Sequence, residues 1–339
     1  MKKLIAVLLG SAMLVSAFAL LSGCGRKGPE VRIQGDFSQE ATAEEISALE
    51  TKMNGFSDSF MGDVSASDWK FGIQMLSDGT GSIKMNMSMG ESNISMTIDT
   101  KADVDFTYAL RKADTGTAYT GAGTLDVNYS MGGYTENPVS AAVKGSMYHD
   151  GSNVYVDGEY KAAYGTQTEE LNGKYKFPAD TVLGSLDESM PLTLDINDAT
   201  DMLESLYETG LDSSGMKVYI DDSDAEETKV KVSMDFNAFM DEMIGSVSDL
   251  GLGQDFITEL NNSAKFNAAD MYFSFNKTTG LFTGYGVVND VSIKGFEYTD
   301  AASGMTVSLD VSVNTSSWLL YTDKDVEAPA DLDAYTAAE

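Results

Sequence analysis

Ser82-Ile83-Lys84-Met85-Asn86-Met87-Ser88-Met89-Gly90-Glu91-Ser92-Asn93-Ile94-Ser95-Met96-Thr97-Ile98 is the stretch that decides the fold. Apolar residues recur at every second position from Ile83 to Met89 and from Ile94 to Ile98. That puts them on one side of a strand, with serine, asparagine and lysine on the other. A two-residue turn at Gly90-Glu91, glycine first, sets Met87 opposite Ile94, Met85 opposite Met96 and Ile83 opposite Ile98. Every apolar side chain then meets another across the hairpin, and a slip of one residue would turn a whole strand inside out.

The same period of two runs outward from this hairpin. Val104, Phe106, Tyr108 and Leu110 continue it, as do Leu125, Val127 and Tyr129, then Val154 and Val156 after Asp150-Gly151. From Trp69 to about Phe177 the chain reads as short antiparallel strands separated by Asp-Gly, Gly-Gly and Gly-Glu turns, with one face buried and one wet. A second hairpin is expected at 216–220 against 228–234, and strands return at about 266–276, 281–294 and 303–316. Lys277-Thr278-Thr279-Gly280 forms a turn between two of them.

Helical periodicity occurs in three places. Thr42 and Glu45 make a T-x-x-E capping box, and Ile46, Leu49, Met53, Phe56 and Phe60 follow at steps of three and four, which predicts a helix over about 43–61. Asn197 or Asp198 caps a narrow stripe of Met202, Leu203, Leu206 and Tyr207 that Gly210 ends. Phe236, Phe239, Met240, Met243, Ile244, Val247 and Leu250 form a wider stripe before Gly251, and a face that wide must be covered.

The N-terminus carries a different signal. Lys2 and Lys3 precede an apolar run from Leu4 to Leu21, which ends in Leu21-Ser22-Gly23-Cys24. This is a charged region, a hydrophobic region and small residues before a cleavage point. The quartet resembles the lipobox of bacterial lipoproteins, and that resemblance implies cleavage before Cys24, acylation of its sulfur and retention on the extracytoplasmic face of the bacterial cell membrane. Cys24 is the only cysteine, so no disulfide is expected and the exported domain must be held by burial alone.

The chain of 339 residues then divides into a signal peptide (1–23), a lipidated N-terminus with a flexible tether (24–41, beginning Cys24-Gly25-Arg26-Lys27-Gly28-Pro29), a single large β-rich domain (42–322) and an acidic tail (323–339). Lys and Arg number 22 against 53 Asp and Glu, a net charge of −31 that repels phosphate backbones and excludes nucleic acid as a partner. Hydrophobic residues make up 42%, too many for a disordered acidic chain and enough for a sizeable core.

A helix, a long antiparallel sheet and two further helices between its strands resemble the LolA/LolB and LppX/LprG-like group of bacterial lipoproteins and lipoprotein carriers. The resemblance covers about residues 42–322. It implies an α+β, mainly antiparallel β fold: a strongly curved half-barrel sheet whose concave face is covered by the N-terminal helix and two or three others.

No constellation in the sequence predicts catalysis. His149 is the only histidine. With Ser146, Asp150 and Asp157 it writes a triad on paper, but beside the Asp150-Gly151 turn it is expected in solvent without an orienting partner. A histidine and cysteine zinc site is likewise unavailable. Met85, Met87 and Met89, with Met96 opposite, space thioethers on one face, a set that suits Cu(I) in principle and, more simply, fills an apolar strand face with flexible side chains. Asp221, Asp222, Asp224, Glu226 and Glu227 crowd one hairpin loop without the glycine and glutamate spacing of an EF-hand, so weak calcium binding is the alternative to a solvated tip. Tyr148, Tyr155, Tyr160, Tyr164 and Tyr175 suit sugar stacking or a half-buried strand face.

The expectation is therefore a monomeric, non-enzymatic, membrane-anchored lipoprotein without a cofactor. It binds a lipid or other apolar molecule near Met85, Met87, Met96, Phe106, Tyr108, Met240 and Met243. The alternatives are a cargo-free structural or interaction module on the cell surface and a weak Cu(I) or Ca²⁺ binder.

Overall fold

The computed structural model describes residues 30–54, 62–63, 65–89, 92–112, 117–133, 138–179, 216–234, 254–299 and 304–337. The lipobox residues Leu21, Ser22, Gly23 and Cys24, the helical stripe at 202–207 and the stripe carrying Met240 and Met243 lie outside them.

Helix α1 covers Ala43–Asn54 and starts on the capping box: Glu45 N–H donates to Thr42 Oγ1 at 3.3 Å, and Thr42 N–H donates to Glu45 Oε2 at 2.8 Å. A first meander follows, β1 (Lys70–Met89), β2 (Ser92–Lys112), β3 (Thr117–Gly132), β4 (Val139–His149), β5 (Asn153–Tyr164) and β6 (Gln167–Pro178). A second contains β7 (Met216–Asp221), β8 (Glu227–Met234), helix α2 (Gln254–Ser263), β9 (Ala264–Asn276), β10 (Phe282–Thr299) and β11 (Thr306–Thr322). A short 3-10 turn at Leu332–Ala334 leads into β12 (Thr336–Ala337).

The two meanders fuse because β11 pairs with β1 from Gly72 opposite Thr322 to Ser88 opposite Thr306. The result is one 12-stranded sheet in the order β12-β6-β5-β4-β3-β2-β1-β11-β10-β9-β8-β7, open between its two edges.

This architecture overturns the expected α+β half-barrel with a helix-covered concave face. The described residues are predominantly strand, and they contain two helices. The strands are also longer than the Asp-Gly turn signals predict. Asp78-Gly79 lies inside β1, where Gly79 pairs with Ala102 on one side and Thr315 on the other, so ladder hydrogen bonds from both neighbours outweigh the local turn preference and β1 runs for 20 residues. At Asp150-Gly151, by contrast, Asp150 Oδ1 accepts from Ser152 N and Asn153 N at 2.8 and 2.7 Å, and the chain reverses.

The two chain ends read as unstructured also belong to the fold. Ile33 is buried against Tyr272, Val288 and Trp318, with Val31 and Phe37 beside it. Trp318 Nε1 donates to Glu30 O at 3.1 Å, Asp36 N to Asp221 Oδ2 at 2.9 Å and Ala41 N to Val218 O at 2.7 Å. At the other end, Lys174 Nζ bonds Asp331 Oδ2 at 2.6 Å, Tyr335 sits edge-on to Tyr155 at 5.4 Å, and Thr336 and Ala337 pair in parallel with Tyr175 and Lys176. A few apolar or aromatic anchors in polar sequence dock both segments without any periodicity.

Candidate ligand-binding face

Because side chains alternate along each strand, the register determines which residues share a face. Ile83 stands between Ile98 and Val311, Met85 between Met96 and Leu309, and Met87 between Ile94 and Val307. On β10, Ile293, Phe296 and Tyr298 extend these rows, a bulge between Ile293 and Phe296 keeping the apolar side chains in step. Three apolar rows thus cross four strands on one face. The hairpin register read from the sequence is the observed one.

Helix α2 covers part of this area, Leu260 packing on the fully buried Phe296 with Ile293, Tyr298, Val307 and Leu309 around them. Met85, Met87 and Met96 are half-buried, and Ile94 at the margin is 42% exposed. On β11 the methionines meet Leu309 and Val307, which makes their surroundings hydrocarbon rather than a set of converging sulfur ligands.

Phe106 and Tyr108 lie on the same face of β2 but ten and twelve residues along from Met96, about 33 Å or more at strand spacing, so they do not share a pocket with the methionines. Phe106 instead anchors a second buried cluster with Met147, Val154 and Phe177. Gly121 and Gly123 of β3 leave the space its ring occupies: a Cβ on Gly121 would stand 2.6 Å from Phe106 Cε1, and one on Gly123 2.7 Å from its Cδ2. Tyr108 tilts against Phe106 with ring centroids 4.7 Å apart.

Beside this cluster the face dips. Gly145, Gly158 and Gly173 stand in one row across β4, β5 and β6, and the Cα of Gly145 would lie 2.7 Å from a Cβ on Gly158. Over this glycine floor is a pocket of about 30 Å³ lined by Val143, Val156, Gly158, Glu159, Tyr160, Leu171, Tyr175 and Phe177. The Tyr160 hydroxyl is buried and has no hydrogen-bond partner among the described residues, and burial, seconded by the negative charge of Glu169, pushes its pKa above the ordinary phenol range. The sequence reading did not single out this pocket. The available signal was glycine at matching positions inside three neighbouring strand patterns, which marks close approach at the sheet surface.

The other candidates separate by strand parity. His149 is not the exposed turn residue expected from its neighbours: as the last residue of β4 it is 3% exposed. Burial lowers its pKa, with Asp150 pulling the other way. Ser146 and Asp157 project from the opposite face, which dissolves the paper triad. Tyr160, Tyr164 and Tyr175 share the apolar face, whereas Tyr148 and Tyr155 pair across the other one with centroids 5.7 Å apart, so no single stacking platform forms.

In the acidic loop, Asp221 accepts from Ser223 and from Asp36 N, Asp222 from Thr228 Oγ1, and Asp224 from Glu226 N, Glu227 N and Lys229 Nζ. These protein donors hold the pKa of Asp221 and Asp224 down, the latter to about 2. Among the described residues no group of three His, Cys, Asp or Glu side chains is placed to hold a metal ion.

No protein-family model and no curated protein matches the chain. Among solved structures, a β-barrel-like protein of domain of unknown function DUF1849 from Brucella abortus aligns with 74% of this chain and 100% of its own at 8% identity, with a TM-score of 0.14. A likeness at that level supports no statement about fold or activity. No helix among the described residues is long and apolar enough to cross a membrane.

Proposed function

We propose that the protein is a lipid-anchored, extracytoplasmic, non-enzymatic binding protein that holds a lipid-like molecule against the apolar face of its sheet. The observation that carries this reading is that one face of the sheet bears two apolar regions: rows through Met85 and Met87 at one end, and the Phe106 cluster with its glycine-floored pocket at the other. Unbranched thioethers repack around acyl chains of variable shape at little cost. Anchoring rests on Lys2, Lys3, the apolar run and Leu21-Ser22-Gly23-Cys24. The acidic exterior would keep neighbouring copies apart as monomers and turn away anionic headgroups and nucleic acid.

A second reading, a packed module without cargo, is favoured by one observation. The pocket of about 30 Å³ is far smaller than the several hundred Å³ of an ordinary ligand site. Native mass spectrometry of protein purified from its own host, followed by lipid extraction, separates the two. A co-purifying lipid supports the binding protein; repeated absence of any apolar molecule, with no uptake of a fluorescent lipid, leaves the module.

A further inference from the structure

Strand β6 is only partly covered on its outer side. Thr336 and Ala337 of β12 pair with Tyr175 and Lys176, so among the described residues no strand lies beside Gln167 to Lys174. That stretch is regular: β6 keeps one register with β5 from Gln167 to Pro178, and Gly173, at a φ of 135°, twists the strand without shifting it. Gln167, Thr168, Glu169, Glu170 and Asn172 are exposed. A long regular strand at a sheet edge is a template for another strand, because its outward N–H and C=O groups are already aligned.

Charge along β6 identifies the strand that fits. The first half carries Glu169 and Glu170, the second Lys174 and Lys176. Two copies of such a strand repel when parallel in register and complement each other when antiparallel. Opposite side chains in an antiparallel pair point to the same side of the sheet, so a twofold axis through Asn172 joins the apolar face of one sheet to that of the other. This register sets Glu170 opposite Lys174, Thr168 opposite Lys176 and Glu169 opposite Tyr175, each pair occurring twice. Centring the pair on Glu170 or on Lys174 would instead set like charges against each other.

The C-terminal segment stands where the second copy would lie. Lys174 Nζ bonds Asp331 Oδ2 at 2.6 Å, so Asp331 fills in for the other copy's Glu170, while Tyr335 packs on Tyr155 and Thr336 pairs with Tyr175. The hold is slight: an ion pair open to solvent, two contacts of the Tyr335 ring with Tyr155 and Lys174, and two residues of parallel ladder. Residues 323–330, which join this segment to β11, contain no helix or strand and are mostly exposed. The net charge of −31 opposes association at a distance, but salt at physiological strength screens it beyond about 8 Å, leaving contacts at the edge to decide.

We infer that the outer edge of β6 is a dimerisation surface for a second copy of this chain, paired antiparallel about Asn172, and that residues 331–337 compete for the same edge and keep the chain monomeric.

The test uses residues 25–339, which retain every described residue and lack the chain's only cysteine. In analytical ultracentrifugation the parent is monomeric, and Asp331→Ala/Tyr335→Ala/Thr336→Pro, which frees the segment, is dimeric at the same concentration. A synthetic peptide of residues 330–339 returns that variant to monomers. Adding Glu170→Lys to it weakens the dimer roughly tenfold or more, because two opposite-charge pairs become like-charge pairs. In the freed variant Asn172→Cys forms a disulfide-linked dimer on mild oxidation, since the two copies of residue 172 face each other with Cβ atoms about 4.5–5.5 Å apart. Thr168→Cys, roughly 26 Å from its counterpart at strand spacing, does not. Far-UV circular dichroism confirms that each variant keeps the parent's sheet, and Thr336→Pro alone replaces the triple variant if that does not fold. The inference is overturned by a folded, freed variant that stays monomeric, by a parent that dimerises as readily, by Glu170→Lys leaving the dimer unchanged, by a dimer that the peptide does not dissociate, or by cross-linking at residue 168 rather than 172.

Discussion

Ile33→Ala tests whether residues 30–41 are part of the fold or a tether. Ile33 is 5% exposed and packs on Tyr272, Val288 and Trp318. The substitution removes three carbons, worth about 0.8 kcal/mol each on burial, or roughly 2.4 kcal/mol. The cavity term adds little at a segment that can settle onto the sheet, so the expected loss is about 2–3 kcal/mol. In a domain of roughly 300 residues that lowers the melting temperature by about 3–5 °C. A local reporter is available because the chain has only two tryptophans, Trp69 and Trp318. In a Trp69→Phe background the emission comes from Trp318, whose indole N–H donates to Glu30 O and whose side chain is 2% exposed. Ile33→Ala should redden that emission and increase its quenching by acrylamide before global unfolding begins. A loss under about 0.5 kcal/mol with unchanged emission is what a surface residue in a tether gives, and would refute the docking of this segment.

Cys24→Ser is expected to block maturation, leaving an unlipidated precursor; mass spectrometry showing an acylated N-terminus at the mature mass would overturn the lipobox assignment. Gly158→Ala places a methyl group against the carbonyl oxygen of Lys144 and 2.7 Å from Gly145 Cα, so it should cost stability at the upper end of about 1–3 kcal/mol; Gly132→Ala, whose nearest neighbour is 4.0 Å away, should stay within about 0.5 kcal/mol in the same denaturation assay. The imidazole of His149, the single histidine, should titrate below 6.5 by NMR. Since the unfolded chain then takes up that proton first, the His149 contribution to stability is present above pH 6.5 and declines as pH falls through that value; a measured pKa at or above 6.5 contradicts the burial of the ring.

The sequence was most legible where local and cross-strand demands agree. From Ile83 to Ile98 the alternation, the glycine-first turn and the need to set apolar against apolar all select one register, and Met85 opposite Met96 is what the sheet contains. The capping box at Thr42 and Glu45 is legible for the same reason, because both hydrogen bonds close within four residues. The face shared by Met85, Met87, Met96, Phe106 and Tyr108 follows from parity alone; that it holds two separate apolar regions does not, since the distance between them depends on Asp78-Gly79 remaining inside a strand.

Composition and short-range pattern alone determined that the chain is acidic, β-rich and built of antiparallel hairpins, and which side of each strand is apolar. These are properties of period and neighbour, carried by contacts close in sequence. Tertiary structure decided the rest. Pairing of β1 with β11, more than two hundred residues apart, makes one open sheet rather than a half-barrel under helices. The docking of Ile33 and Tyr335 and the burial of His149 and of the Tyr160 hydroxyl likewise depend on which strand lies next to which. No window of sequence contains that information, because each partner is chosen by the chain as a whole through burial and ladder hydrogen bonds that only the assembled sheet supplies.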